Sequence, residues 1–441
     1  MRKIVLTAAL VMGIVSGAGA QEQRVWTLVQ CIDHALENNL SVKQSGLNVE
    51  QREIDLNTAE NNRLPSVSGS AGQNFSFGRG LTADNTYANT NTTNTSFSVG
   101  ANVPVFNGFQ IKHNIELSKL NLAAATADLE KAKDDIRVAV AQAYVQILYN
   151  MEILDVARSQ VEIDSLQVVR LSEMASNGKA SRADVSAQEA TLAQSRVSVT
   201  QAENNVALAI LDLTQLLELP SPEGFHIARP SVEGLENAML MDPEDIYAEA
   251  VQFKPVIKAE EIRLDQALKN IDLAKDSFLP TISMSGGLGT NYYTSSGFPS
   301  AGFASQLKNN FSQYIGLNLN IPIFSHFSNR NQVRNAKLQY SNQEIMLDNS
   351  KKSLYKEIQQ AYYNAVGSQA KYRSSQVAAA SAEDAFELAQ ARYENGKSGI
   401  TEFNEAKGRY MSAASNLVQA RYEYLYQSKI LDFYRGRTLS F

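Results

Sequence analysis

Asn102-Val103-Pro104-Val105-Phe106 returns as Asn320-Ile321-Pro322-Ile323-Phe324, and on both occasions it separates two kinds of sequence. Before it, apolar and small polar residues alternate strictly. After it, apolar residues recur with a helical period. Working outward, Gln142-Ala143-Tyr144 returns as Gln360-Ala361-Tyr362, and Asn177-Gly178-Lys179 as Asn395-Gly396-Lys397. The offset is 218 each time (320 − 102, 360 − 142, 395 − 177). Upstream, Leu64-Pro65 returns as Leu279-Pro280 with an offset of 215 (279 − 64), so the slip falls between Pro65 and Asn102, where a loop absorbs it. A repeat this long is a duplicated structural unit rather than a short solenoid motif. The division it predicts is a leader over 1–20, a first repeat over 21–219, a linker over 220–242 and a second repeat over 243–441. Each repeat holds a helix, a strand pair (66–104 and 281–322) and a long helical hairpin (107–219 and 325–435).

Four stretches alternate. Val67, Gly69, Ala71, Phe75 and Phe77 oppose Ser66, Ser68, Ser70, Asn74 and Ser76; Phe97, Val99, Ala101 and Val103 oppose Ser96, Ser98, Gly100 and Asn102. In the second copy Ile282, Met284 and Leu288 oppose Thr281, Ser283 and Ser285, and Ile315, Leu317, Leu319 and Ile321 oppose Gly316, Asn318 and Asn320. Each reads as about ten residues, the length of a tilted membrane strand, with a small uncharged face suited to a wet lumen. The competing reading, a half-buried sheet on a soluble core, lacks a segment to cover the apolar face. The stretches Thr82 to Thr95 and Thr294 to Asn310 read as mobile external loops. The prolines read as strand ends. Four strands cannot close a barrel, since the smallest closed membrane barrels have about eight. Open edges in lipid cost several kcal/mol per unpaired group. Copies of the chain must therefore combine; two would give eight strands and three would give twelve, and geometry alone prefers neither.

From Asn107 to Ser176 there is no proline, and Leu122, Leu129, Ile136 and Ala143 recur every seven residues. A helix there would run roughly 105 Å. Asn177-Gly178 and Asn395-Gly396 stop the helices, because Asn and Gly tolerate the left-handed cap conformation. The return helices carry Val185, Leu192, Val199, Val206 and Leu213, and Phe403, Tyr410, Leu417, Tyr424 and Leu431. A sustained heptad implies left-handed supercoiling. Shorter helices near Ser41 to Asn62 and Val256 to Ser277 would fill the remaining length beside the long ones, and Pro220 to Asp242 would form a belt at the waist.

Arg2 and Lys3, the apolar run Ile4 to Val15 and Ala18-Gly19-Ala20 have the form of a secretory leader. The formal net charge of −6 gives no basic excess, which argues against nucleic acid as a partner. Cys31 is the one cysteine, so no internal disulfide forms, and it reads as a buried small hydrophobe. His34, His113, His226 and His326 have no metal-ligand spacing. Ala391-Arg392-Tyr393-Glu394-Asn395-Gly396-Lys397-Ser398 lacks the first glycine and the preceding strand of a phosphate-binding loop. No nucleophile signature is present. No catalytic, cofactor-binding or metal-ligating residue is expected.

The chain resembles the TolC-like outer-membrane efflux protein family over essentially the whole mature sequence. The resemblance rests on Ala35-Leu36-Glu37-Asn38-Asn39, on the two Leu-Pro and two Pro-x-Phe junctions, on the glycine-centred hairpin tips and on Ala420-Arg421-Tyr422-Glu423-Tyr424-Leu425. It implies a homotrimer: a twelve-stranded β-barrel in the outer membrane, four strands per chain, continued by an α-helical coiled-coil periplasmic tunnel. It implies as partners a periplasmic adaptor protein, an inner-membrane pump and outer-membrane lipid. It implies a periplasmic gate of Glu402 and Glu405, stacked as rings, with Tyr393 and Asp184; Ser398 stands where some relatives carry a basic residue. It implies adaptor contact at Asn177, Gly178 and Lys179 and at Asn395, Gly396 and Lys397. The expected function is the exit channel of a tripartite efflux system for drugs or other small toxic compounds. The alternatives are the outer-membrane channel of a type I protein secretion system and a passive porin, which would need no long helices. A helical rod or adhesin would leave the strand alternation without purpose.

Overall fold

A computed structural model describes residues 25–81, 85–230, 240–296 and 299–440. The expected leader, the middle of the linker and parts of both external loops lie outside the described residues. The element order is β1 (Val25–Trp26), α1 (Leu28–Asn38), α2 (Leu40–Asn61), β2 (Ser66–Leu81), β3 (Tyr87–Asn107), α3 (Gln110–Ser176), α4 (Arg182–Leu216) and β4 (His226–Ile227). It continues with α5 (Pro243–Phe253), α6 (Pro255–Asp276), β5 (Thr281–Ser295), α7 (Phe303–Asn309), β6 (Ser312–Asn320), α8 (Ser328–Glu394) and α9 (Ile400–Tyr434).

The duplication is exact at the helices. Helices α3 and α8 are both 67 residues long, α4 and α9 both 35, and each pair is offset by 218 (328 − 110, 400 − 182). Helices α1 and α5 are both 11 residues, α2 and α6 both 22, and these pairs keep the offset of 215 (243 − 28, 255 − 40). The compact units cut across this duplication. Among the described residues, one takes the chain up to Val42, Lys133–Ile246 and the chain from Ile358; the other takes Lys43–Ala132 and Tyr247–Glu357. Each unit draws on both repeats, and α3 and α8 supply residues to both units.

The second unit contains a four-stranded antiparallel sheet in the order β2-β3-β5-β6. Its register sorts the side chains. Val67, Ala101, Gly286 and Ile315 lie in one row, and Val103, Met284 and Leu317 in another, so the apolar residues of neighbouring strands share one face. Ser70, Ser98, Gly289 and Ser312 form a row on the other face, where the Ser70 and Ser98 hydroxyls lie 2.7 Å apart. Gly287 lies there against the Tyr314 ring, which a Cβ would meet at 2.7 Å. Three strands exceed the expected ten residues: β2 has 16, β3 has 21 and β5 has 15, whereas β6 has 9. The excess is a correction to the loop reading. Tyr87 to Thr95 belongs to β3 and is paired with β2, although its Asn/Thr content gives no apolar alternation. Backbone pairing does not need an apolar face where both faces meet water. Pro104 sits inside β3 at a register shift rather than at its end, which spares the ladder the donor that proline lacks.

Thr294 to Asn310, read as a loop, holds α7. Strand β6 pairs with β5 only as far as Gly289↔Ser312. Beyond that row α7 takes over the edge. Tyr293 N–H donates to Gln306 Oε1 (2.9 Å) and Gln306 Nε2 donates to the Tyr293 carbonyl (2.9 Å), the exchange a strand residue would make. Thr290 Oγ1 donates to the Leu307 carbonyl (2.6 Å) and Asn310 Nδ2 to the Asn291 carbonyl (2.7 Å).

The passage from strand to long helix repeats a tight left-handed turn. Gly108 and Phe109 have φ of 65° and 68°, and His326 and Phe327, 218 residues on, have 51° and 62°. A Cβ at Gly108 would meet the Asp276 carbonyl at 2.9 Å, so glycine is needed in the first copy. In this unit α6 is tied to α3 by Arg263, which donates to both oxygens of Asp128 (2.7 Å each), by Lys269–Glu116 (2.9 Å) and by His113–Asp276 (2.7 Å).

The first unit has one main core. Leu28, Cys31, Ala35, Tyr144, Ile147, Leu148, Leu213, Leu217 and Leu425 are buried in it. Burial pushes the Cys31 thiol up to about 12, as its reading as a small hydrophobe requires. The described start of the linker forms β4, which pairs in parallel with β1. Tyr144 clips this pair to α3, its hydroxyl lying 2.7 Å from the Ala228 carbonyl and 3.2 Å from that of Trp26. Among the described residues, no helix is long and apolar enough to cross a membrane.

Candidate functional site

The two hairpin tips belong to the first unit and repeat one another bond for bond. Gly178 and Gly396 have φ of 72° and 68°. The Lys179 N–H donates to the Met174 carbonyl and the Lys397 N–H to that of Arg392, both at 2.8 Å, closing the helix ends. Asn177 Nδ2 donates to the Glu173 carbonyl (2.8 Å) and Asn395 Nδ2 to that of Ala391 (2.7 Å). The six residues expected to meet an adaptor therefore form two like caps, with both lysines exposed.

The return helices begin differently. Ser181 caps α4: its Oγ accepts from the Asp184 N–H (3.1 Å) while Asp184 Oδ2 accepts from the Ser181 N–H (3.1 Å) and hydroxyl (2.7 Å). These bonds hold the Asp184 carboxyl below its usual range. The equivalent of Ser181 is Gly399, which offers no side-chain cap, and the equivalent of Asp184 is Glu402 (402 − 184 = 218). Glu402 instead takes Arg392 as partner at 2.8 Å. Glu405 takes Arg409 at 3.2 Å, one turn along α9. Both glutamates are exposed and lie on the first two turns of α9.

Tyr393, at the end of α8, stacks on Phe403 with ring centres 5.2 Å apart. The guanidinium of Arg170 of α3 lies over the Tyr393 ring, 5.2 Å from its centre, and also donates to the Glu394 carbonyl (3.0 Å) and pairs with its carboxylate (3.3 Å). Burial raises the Tyr393 phenol; Arg170 lowers it and Asp184 raises it by smaller amounts. Ser398 is half-buried, and its Oγ has no hydrogen-bond partner. The basic group that reaches the tyrosine from the first hairpin is thus Arg170, which the reading of the tip motif did not single out.

Two other residues escaped the sequence reading. Asp164 of α3 and Lys407 of α9 form a buried ion pair. Asp164 also accepts from Ser195 Oγ (2.6 Å), Gln160 Nε2 (2.9 Å) and Gln188 Nε2 (3.2 Å). Burial pushes the Asp164 carboxyl up, and the donations from Lys407, Ser195 and Gln160 outweigh it and hold it low. The signal was present in the sequence: Asp164 continues the seven-residue series of Leu122 to Ala143, and Lys407 lies one turn after Phe403 on the apolar stripe of α9. A charge on a buried stripe implies a partner.

A sheet whose apolar residues share one open face, joined in sequence to very long helical hairpins, defines a membrane channel subunit of the outer-membrane type. The outer membrane efflux protein family matches residues 31–218 and 246–437, and the chain belongs to it. Among curated relatives, Protein CyaE of Bordetella pertussis is 25% identical over 88% of this chain and 79% of its own length. Outer membrane protein TolC of Escherichia coli is 22% identical over 90% of this chain and 80% of its own. Of the solved structures, the Campylobacter jejuni CmeC outer membrane channel superposes with a TM-score of 0.77 at 20% identity, covering 93% of this chain and 85% of that one. The chain is an outer-membrane efflux channel subunit with a periplasmic extension. The family is one of channels and not of enzymes.

Proposed function

We propose that three copies of this chain close one barrel and one tunnel, and that the assembly is the exit duct of a tripartite efflux system for drugs or other small toxic compounds. The observation that carries the assembly is the pair of open sheet edges. Among the described residues, strands β2 and β6 each lack a neighbour on one side. Unpaired backbone groups cost several kcal/mol each in hydrocarbon, so β2 of one copy pairs with β6 of the next. The exposed apolar residues Val67, Val99, Leu288, Ile315 and Leu317 then face lipid. The helices flanking those edges support the same joint. Leu40, Leu47 and Ile54 of α2, seven residues apart, are exposed, as are Leu338 and Ile345 of α8. A seven-residue apolar series left uncovered in one chain is a coiled-coil seam for another.

The second hairpin supplies the gate in this reading. Glu402 and Glu405 form rings near the axis, Tyr393 and Asp184 hold the closed state with Arg170, and the two glycine-centred tips receive the adaptor that passes cargo from the inner-membrane pump. Support comes from Gly399, which leaves the first turn of α9 without the side-chain cap that Ser181 gives α4, a difference of about a few tenths of a kcal/mol for glycine in place of serine. The test is a deletion strain. Loss of the protein is expected to raise sensitivity to several unrelated toxic compounds, with recovery on complementation. Unchanged sensitivity with loss of an exported protein would move the assignment to protein secretion, and slowed nutrient uptake alone would move it to a porin.

A further inference from the structure

Asp164 sits in a socket that the first hairpin builds almost unaided. Gln160 on α3 and Gln188 and Ser195 on α4 donate to its carboxylate, and all three belong to that hairpin. The one donor from the second hairpin is Lys407, whose side chain is 5% exposed while that of Asp164 is 0% exposed. Lys407 enters this socket two residues after Glu405, just inside the proposed gate.

The contacts on the two sides of this pair differ in strength. Removing one partner from a buried pair is strongly destabilising, because a buried charge is left alone. Toward the tip the second hairpin is tied to the first by Arg170–Glu394, with side chains 30% and 46% exposed, while Arg392–Glu402 lies within the second hairpin and moves with it. An exposed pair of this kind contributes little, because water and salt screen it. The same tip segment carries two buried oxygens without hydrogen-bond partners, Ser398 Oγ and Asn404 Oδ1. Unsatisfied buried groups destabilise the arrangement that holds them, which lowers the cost of leaving it. A rearrangement therefore breaks the tip contacts before it breaks the socket.

We propose that Asp164 and Lys407 are the fulcrum of the gate: α9 stays pinned to the first hairpin at this pair while the segment from Tyr393 to Glu405 swings. They are positioning residues, and the proposal rests on the reading of the second hairpin as the gate. Three of the four donors to Asp164 come from the first hairpin, so that hairpin keeps its shape while the second moves around the inserted ammonium.

The test compares two cross-links in the full-length protein, in the deletion strain and in a Cys31→Ala background. One joins Asp164→Cys to Lys407→Cys with a short bismaleimide, which replaces the ion pair by a covalent bond. The other joins Arg170→Cys to Tyr393→Cys. Efflux of a fluorescent dye is read before and after the reagent. The expected result is efflux retained with the link at the fulcrum and lost with the link at the tip. Efflux lost with the fulcrum link would show that the hairpins part there and would overturn the proposal. Efflux retained with the tip link would overturn the gate reading itself, and the fulcrum with it. Lys407→Met without reagent is expected to raise spontaneous conductance of the reconstituted protein several-fold, and Asp164→Leu/Lys407→Met to return it toward the parent value, because no charge is then buried alone. Equal conductance in all three would count against a pin.

Discussion

Asp184 and Glu402 occupy the same place in the two repeats and have different partners. Asp184 is used up by the hydroxyl and amide of Ser181, whereas Glu402 has only Gly399 before it and reaches Arg392. One substitution at a helix cap therefore frees a carboxylate for the second hairpin. Glu405 is paired with Arg409 on its own helix. Both pairs are exposed and contribute little to holding the chain together. If these carboxylates line the narrow end of a channel, their charge acts on passing ions. Glu402→Gln/Glu405→Gln is expected to leave folding unchanged and to reduce the preference for cations, read as a shift in reversal potential in planar bilayers; an unchanged potential would remove the rings from the pore. The positions of both glutamates were legible from the tip motif. Their arginine partners were not, since the contact of Arg392 with Glu402 depends on how the turn between them folds.

Among the elements, the helices were the most legible, because a seven-residue series and an Asn-Gly stop act locally. Helix α3 begins at Gln110 and ends at Ser176, where the asparagine and glycine follow. The strands were legible only where one face is apolar. The outer half of β3 carries Asn and Thr on both faces, and pairing with β2 alone reveals it. Helix α7 was hidden for a similar reason. Its residues Phe303–Asn309 have no strong local signal, and its place is set by the stretch of β5 that β6 is too short to cover. Exposed strand edges invite pairing with other chains, and native proteins cover them. Gln306→Ala removes both bonds to Tyr293. It is expected to cost about 1–3 kcal/mol locally, at roughly 0.5–1.5 kcal/mol per hydrogen bond. The check is limited proteolysis from the outer face: cleavage between 299 and 311 should rise while the barrel remains intact. Unchanged protection would mean that the backbone of α7, not Gln306, covers the edge.

The whole molecule is divided by packing along lines that the duplication does not follow. Each compact unit collects segments from both repeats, since α3 and α8 are long enough to serve in both. Among the described residues the sheet has two open edges, and α2 and α8 carry uncovered apolar series, which the proposed trimer would cover. Detergent-solubilised protein is expected to have about three times the polypeptide mass of one mature chain, measured by sedimentation or native mass spectrometry with the detergent subtracted. A single-chain mass in a detergent that preserves channel activity would contradict closure by β2 and β6. The amino-acid sequence by itself determined the duplication, the alternation of the strands, the span of the long helices and the caps at their tips, because each is written in residues near one another along the chain. Only the tertiary structure decided that Asp164 meets Lys407, that Arg170 reaches Tyr393 and that α7 covers β5. Those meetings join residues that are distant in sequence and near in space, and no local periodicity carries them.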